Sequence, residues 1–226
     1  MLSGGRAMVM QARAQATHAA IIQAALDLFE DSGYGSTGLT DIINKAAVTK
    51  GAFYYHFHTK ESVAAAVVEG SYEEIHRLLV TTIEAPSGPA LENLIRATFA
   101  VAEAMRRNQL VRVGHQLRLV VPAVRAVGKS SFTARRQIFI SAIESAVAAG
   151  DVLADVDPAE AADSIRSAMV GAQIVFDVGA GDIYTGLRSS WRIILRGIAS
   201  ESSLAYFEEF VTRVAARYQS GADQAR

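Results

Sequence analysis

Apolar side chains return at helical spacing through almost the whole chain, and no run of alternating β-branched residues breaks the pattern. That periodicity leaves an all-α architecture, because each segment has one face to bury and only packed helices bury faces of that shape. Only four prolines and a few Gly/Ser clusters punctuate it. With 226 residues, half of them apolar, the chain can bury a core for one or two domains.

The first clear stripe is Ile21, Ile22, Ala25, Leu28 and Phe29, with Gly33 placed for a left-handed C-terminal cap. Further helices are predicted at about 39–46, 50–56 and 60–84. Pro86-Ser87-Gly88-Pro89 then removes two backbone donors within four residues, and Leu91, Leu94, Ile95, Thr98, Phe99 and Ala102 define the next buried face. Helices over about 109–121 and 130–149 follow, the first stopping near Pro122 and the second at Gly150. Asp157-Pro158-Ala159-Glu160 is a strong start signal, with a capping carboxylate, proline at the first helical position and Glu at the third. The helix it opens runs to about Val178, and two more are expected over about 184–198 and 203–218.

Composition excludes several function classes. With no cysteine, disulfides, thiolate metal sites and cysteine nucleophiles are out. No segment approaches the roughly 18 uninterrupted apolar residues of a membrane span, and Arg6 and Arg13 break the start, so a cytoplasmic protein with no membrane partner is expected. Phosphate loops, G-x-S-x-G elbows and H-E-x-x-H pairs are missing, so no enzyme and no cofactor are expected. Net charge is −1, with five Lys/Arg against four Asp/Glu in residues 1–60, so any nucleic-acid site has to be a local patch. A non-specific architectural DNA binder fits this charge poorly.

Such a patch is legible in LTDIINKAAVTKGAFYYHF, residues 39–57, where a short helix, a tight turn and a second short helix fit the spacing of a helix-turn-helix. Ile42, Ile43, Ala46 and Val48 would be buried, and Thr49 would cap the second helix. Gly51 and Ala52 are small enough for close groove approach, while Thr49, Lys50, Tyr54, His56 and Lys60 carry donors for phosphates. Spacing alone leaves an ordinary helical hairpin equally open. His56 and His58 form an H-x-H pair, but no third ligand lies near in sequence and no metal site is read there.

VTKGAFYYHFHTKESV resembles the signature of TetR-family regulators, and the likeness extends from about Ile21 to Val67. The resemblance implies an N-terminal three-helix DNA-binding domain over 1–60 and a larger helical ligand-binding and dimerisation domain over 61–226. It also implies a homodimer whose heads read a palindromic operator about 34–36 Å apart. The contact candidates it carries over are Thr49, Lys50, Gly51, Phe53, Tyr54, His56 and Lys60, with Thr37 and Thr40 near the backbone, and Tyr55 and Phe57 as packing residues. One departure is Ala47, where the family commonly has Gly; if the turn requires positive φ there, alanine costs about 1 kcal/mol.

LVRVGHQLRL, DVDPAEAADSIRSAMVGAQIV and SSWRIILRGI are similar to the γ-butyrolactone-type autoregulator receptors, whose inducers are butyrolactones, butenolides or furan acids. That likeness places Tyr72, Phe132 and Ser167 at ligand positions, whereas Arg118 and Arg135 stand where Gln or a nearby Trp is common. The arginines would bind an acidic head if they face a pocket, and both pointing to solvent is the open alternative. An unrelated drug or metabolite as ligand, or a receptor that has lost its ligand, also remain open. The helix over about 60–84, roughly 37 Å long, is the expected lever between ligand and DNA. The helices at 158–178 and 184–198, through Ile165, Met169, Ala172, Phe176, Trp191, Ile194 and Leu195, are read as dimer surface or internal core.

Overall fold

A computed structural model describes residues 3–85, 88–124, 127 and 129–223, without the side chains of 3–7, 9, 129–132, 222 and 223. Ten helices follow in order: α1 (Ser3–Ser36), α2 (Leu39–Lys45), α3 (Lys50–His56), α4 (Lys60–Ile83), α5 (Ala90–Arg107), α6 (Gln109–Val120), α7 (Lys129–Ala148), α8 (Pro158–Asp177), α9 (Ile183–Ile198) and α10 (Glu201–Asp223). A 3-10 turn, Pro122–Val124, follows α6, and the extended contact among the described residues is a single bridge between Val152 and Ala199. No helix among the described residues is long and apolar enough to cross a membrane.

The helices pack into two compact units, one of Met1–Glu73 with Asn108–Gly128 and one of Glu74–Arg107 with Lys129–Arg226. The first unit therefore reaches past residue 60 and takes in the start of α4 and all of α6. Its core joins Ile21, Ala25 and Phe29 of α1 to Ile42, Phe53, Val67 and Leu117. Two close fits hold it. Gly114 of α6 crosses α4 so tightly that a Cβ there would lie 2.4 Å from the Ser71 side chain and 3.3 Å from the Val67 carbonyl. Polar bonds tie α6 to α1, with Arg112 Nε donating to Glu30 at 2.7 Å and Gln109 Nε2 to Glu30 at 2.9 Å.

The second unit stacks α5, α7, α8, α9 and α10 around Leu94, Phe99, Phe139, Trp191 and Phe207, all fully buried. Trp191 hides its one polar atom by donating from Nε1 to Thr98 Oγ1 at 2.9 Å, and Thr98 in turn donates to the Ile95 carbonyl at 2.7 Å. Buried Asn93 closes the segment before α5, its amide donating to the Ala85 carbonyl at 2.8 Å. Asp157 caps α8 as its sequence requires, accepting from Ala159 N at 2.7 Å with Pro158 at the first helical position.

Of the seven α8–α9 residues read as dimer surface or core, Ile165, Ala172, Trp191 and Leu195 are buried within this unit, while Met169, Phe176 and Ile194 are half-buried. The opposite arc of α8 and the outside of α9 instead expose Val170, Ile174, Val178 and Ile193, from 50% to 72% of their surface. Gly171 and Gly197 lie in the same two helices, and a Cβ on either would meet nothing within 4 Å.

Candidate nucleic-acid interface

The path into the site begins at Gly33, whose φ of 79° breaks α1 where the sequence places its cap. Thr37 follows in the turn. It is buried, and its hydroxyl donates to the Gly33 carbonyl at 3.0 Å and the Leu28 carbonyl at 3.3 Å. Lys60 is drawn to the same turn, its ammonium donating to the Tyr34 carbonyl at 2.8 Å and the Thr37 carbonyl at 2.7 Å while lying 4.2 Å over the Tyr34 ring. Tyr34 donates its hydroxyl to Glu61 at 3.1 Å, and burial together with that carboxylate pushes its pKa up to about 12. Thr37 is therefore a correction to the contact set, since it is buried and its one hydroxyl donor is held by carbonyls, whereas half-buried Lys60 uses two of its three ammonium donors on the turn and keeps one.

Helix α2 starts at Gly38, whose N–H is capped by Asp41 at 2.8 Å, and Thr40 is exposed in its first turn. The turn out of α2 passes through Ala47 with φ 53°. Alanine at this positive φ carries a cost of about 1 kcal/mol that glycine would not. Thr49 then caps α3 as expected, its hydroxyl accepting from Ala52 N at 3.1 Å.

From that cap the helix register sorts α3. Phe53 is fully buried against Phe57, ring centroids 6.1 Å apart, and cannot reach a groove, which corrects its place among the contacts. Tyr55 is corrected in the other direction: expected to pack, it is 77% exposed. Thr49, Lys50, Gly51 and Tyr54 are exposed beside it, and Lys50 makes no ion pair among the described residues. His56 is half-buried, its ring 5.7 Å from that of His18 on α1. Burial, with His56 as a second cause, lowers the His18 pKa below its usual value.

Gly51 is the informative residue of this face. A Cβ there would meet nothing within 4 Å, and its φ is not positive, so the fold has no use for a glycine at this point. Alanine would favour the helix by up to about 1 kcal/mol. A side chain missing where the chain itself leaves room points to something outside the chain that comes close.

Of the ligand candidates, Tyr72 and Arg118 belong to the first unit and Arg135 and Ser167 to the second. Tyr72 is half-buried against the core of the first unit, and Arg118 is half-buried at the end of α6. Arg135 is half-buried on α7 of the second unit, and the side chain of Phe132 lies outside the described residues. Ser167 is exposed on the arc of α8 that also carries Val170 and Ile174, opposite buried Ile165 and Ala172. A half-open cleft of about 480 Å³ does exist in the first unit, lined by Phe29, Tyr34, Val113, Gln116 and Leu117, and none of the five candidates lines it.

Comparison with known proteins gives matches over both parts of the chain. Residues 21–67 match the family model for bacterial regulatory proteins of the tetR family, and residues 88–200 match the tetracyclin repressor-like C-terminal domain. The A-factor receptor protein of Streptomyces griseus is 30% identical over 204 residues, which are 89% of this chain and 70% of that protein. A crystal structure of a gamma-butyrolactone receptor, an ArpA-like protein, aligns at 32% identity with a TM-score of 0.72 over 91% of this chain and 99% of that one. CprB of Streptomyces coelicolor, solved in complex with its operator sequence, aligns at 33% identity with a TM-score of 0.69 over 91% and 99% of the two chains.

Proposed function

We propose, from the premise that this chain belongs to the TetR family of regulators, that it is a repressor which holds a palindromic operator as a homodimer and leaves it on binding a small signalling molecule. The observation that carries the reading is the bare face of α3, where Lys50, Gly51, Tyr54 and Tyr55 are exposed on a helix whose start Thr49 fixes. Small residues at the tip admit the helix to a major groove, and the flanking donors take phosphates. The remaining contacts of this reading are Thr40, Thr49 and His56. It places the protein in the cytoplasm with the DNA and has it return its ligand unchanged.

Dimerisation is supported by the apolar arc of α8 and α9. Val170, Ile174, Val178 and Ile193 are too many exposed aliphatics for a surface that stays in water, and Gly171 and Gly197 let helix backbones approach. The ligand class is a butyrolactone, butenolide or furan acid, supported by the relatives named as an A-factor receptor and a gamma-butyrolactone receptor. Arg118 holds its polar head. Between Glu103 and Glu144 the chain carries eight Lys/Arg and no carboxylate, and Arg118 is half-buried there with no ion pair among the described residues. A guanidinium so placed accepts a ligand carboxylate in bidentate fashion.

The ligand need only bind the DNA-incompetent conformer more tightly than the competent one, and α4, which contributes residues to both units, transmits the preference. The test has two stages. Duplexes are selected from a randomised pool on the purified chain, and the enriched palindrome is then titrated with neutral lactones, butenolides and furan acids while fluorescence anisotropy follows release. Binding of one palindrome and its release by one class are expected. Failure to enrich any duplex overturns the repressor reading, and release by neutral lactones alone removes the role of Arg118.

A further inference from the structure

We propose that residues 11–18 of α1 form an arm that lies against the DNA backbone beside the groove entered by α3, a contact that rests on the DNA-binding reading above. Helix α1 begins at Ser3, yet its buried stripe begins only at Ile21. From Met8 to Ala19 every described side chain is exposed or half-buried, with Met8 and Met10 each 73% exposed. Composition keeps this stretch helical, since Ala12, Ala14 and Ala16 alternate with Gln11, Arg13 and Gln15, all strong helix formers. A helix that packs on nothing is marginal in water, so the overhang gains most from a surface outside its own unit.

Its position selects that surface. The C-terminal half of α1 is bound to α6 through Glu30, Gln109 and Arg112, so the free half projects from the other end. The overhang starts at His18, whose ring lies 5.0 Å from Phe57 and 5.7 Å from His56, the two residues that close α3. Gln15 and Gln11 stand three and seven residues before His18 and share its face, while Arg13 reaches from the flank. The face that leaves the end of the recognition helix is thus continued by amide donors with a guanidinium beside them.

Charge selects DNA over a protein partner. No Asp or Glu precedes Asp27, whereas Arg6 and Arg13 do, and Arg13 is exposed with no ion pair among the described residues. The eight residues from Gln11 to His18 span about 12 Å, which faces on the order of three steps of a duplex at 3.4 Å each. Phosphate oxygens accept from arginine and glutamine alike, and such contacts add affinity and register without reading sequence.

The experiment measures affinity of the full chain for the selected palindrome and for a mixed-sequence 30-base-pair duplex, each across a salt series. In wild type the slope of log affinity against log salt counts the phosphates neutralised, at about 0.9 per contact. Arg13→Gln is expected to lower that slope by about 1 on both duplexes, and Gln11→Glu with Gln15→Glu to weaken binding about tenfold or more at low salt. Thermal unfolding of both variants is expected to match wild type, because the substituted side chains pack on nothing. Unchanged slopes and affinities in both variants overturn the arm while leaving the repressor standing. A wild-type chain that binds neither duplex overturns the repressor reading and the arm with it.

Discussion

The two compact units bury their cores alike and differ in the helix face each leaves open. On α3 the first shows water a polar, partly aromatic face of Lys50, Tyr54 and Tyr55, although Met8, Met10, Leu119 and Val120 are exposed elsewhere in that unit. At the turn before α2, Lys60 and Thr37 fasten its short helices together. The second satisfies Trp191 and Asn93 inside and leaves aliphatic side chains on α8 and α9 outside. A polar face with one missing side chain at Gly51 fits a polyanion; a stripe of valine and isoleucine fits another apolar helix surface. One chain has built two surfaces for two kinds of partner, and each is recognised by what its own unit fails to cover.

The strongest way to break that contrast is in the second unit. Trp191→Ala removes a fully buried indole and the donor to Thr98 Oγ1, and urea unfolding followed by circular dichroism is expected to show a loss of about 3–5 kcal/mol. A loss below 1 kcal/mol would mean that the unit is not packed around that residue. In the first unit, Gly114→Ala forces a Cβ into Ser71 and is expected to cost about 1–3 kcal/mol in the same measurement. A neutral result would show that α4 and α6 can part without strain.

Two small exchanges sharpen the contrast between fold and function inside the first unit. Ala47→Gly relieves the positive φ of the turn and is expected to stabilise by about 1 kcal/mol without changing operator affinity. Gly51→Ala is expected to stabilise by up to about 1 kcal/mol and to weaken operator affinity, because the fold does not ask for that glycine. If both variants bind DNA as wild type does, Gly51 has no role outside the chain.

The smallest effect is a pH dependence. Burial beside His56 lowers the His18 pKa from 6.5, so the folded state binds fewer protons there than the unfolded chain. The stability this contributes is whole above pH 6.5 and is lost as pH falls through the lowered value. Thermal melting between pH 7.5 and about 5 is expected to drop more in wild type than in His18→Gln, and parallel curves would remove His18 from the balance.

Helix order, the break at Gly33 and the cap at Thr49 were legible because each depends on a few neighbouring residues whose types set the backbone. The exchange between Phe53 and Tyr55 was not. Both are aromatic, and only the rotation of α3 against α1 decides which one enters the core. Thr37 looked like a donor for phosphate because residue type says what a side chain can do; the turn that folds back over it decides what it does. The overhang of α1 escaped periodicity because it has no apolar stripe, and only its alanine and glutamine content marked it as helix. Gly114 gave no sign at all, since a glycine within a helix shows its purpose only once Ser71 stands opposite.

The most direct measurement is a hydroxyl-radical footprint of the wild-type chain on its selected palindrome, read beside that of Lys50→Ala combined with Gly51→Glu. Two protected patches on one face of the duplex, centred roughly 34–36 Å apart and erased by the substitutions, are predicted. Protection that survives the substitutions, or a chain that stays monomeric and protects nothing, would contradict the account.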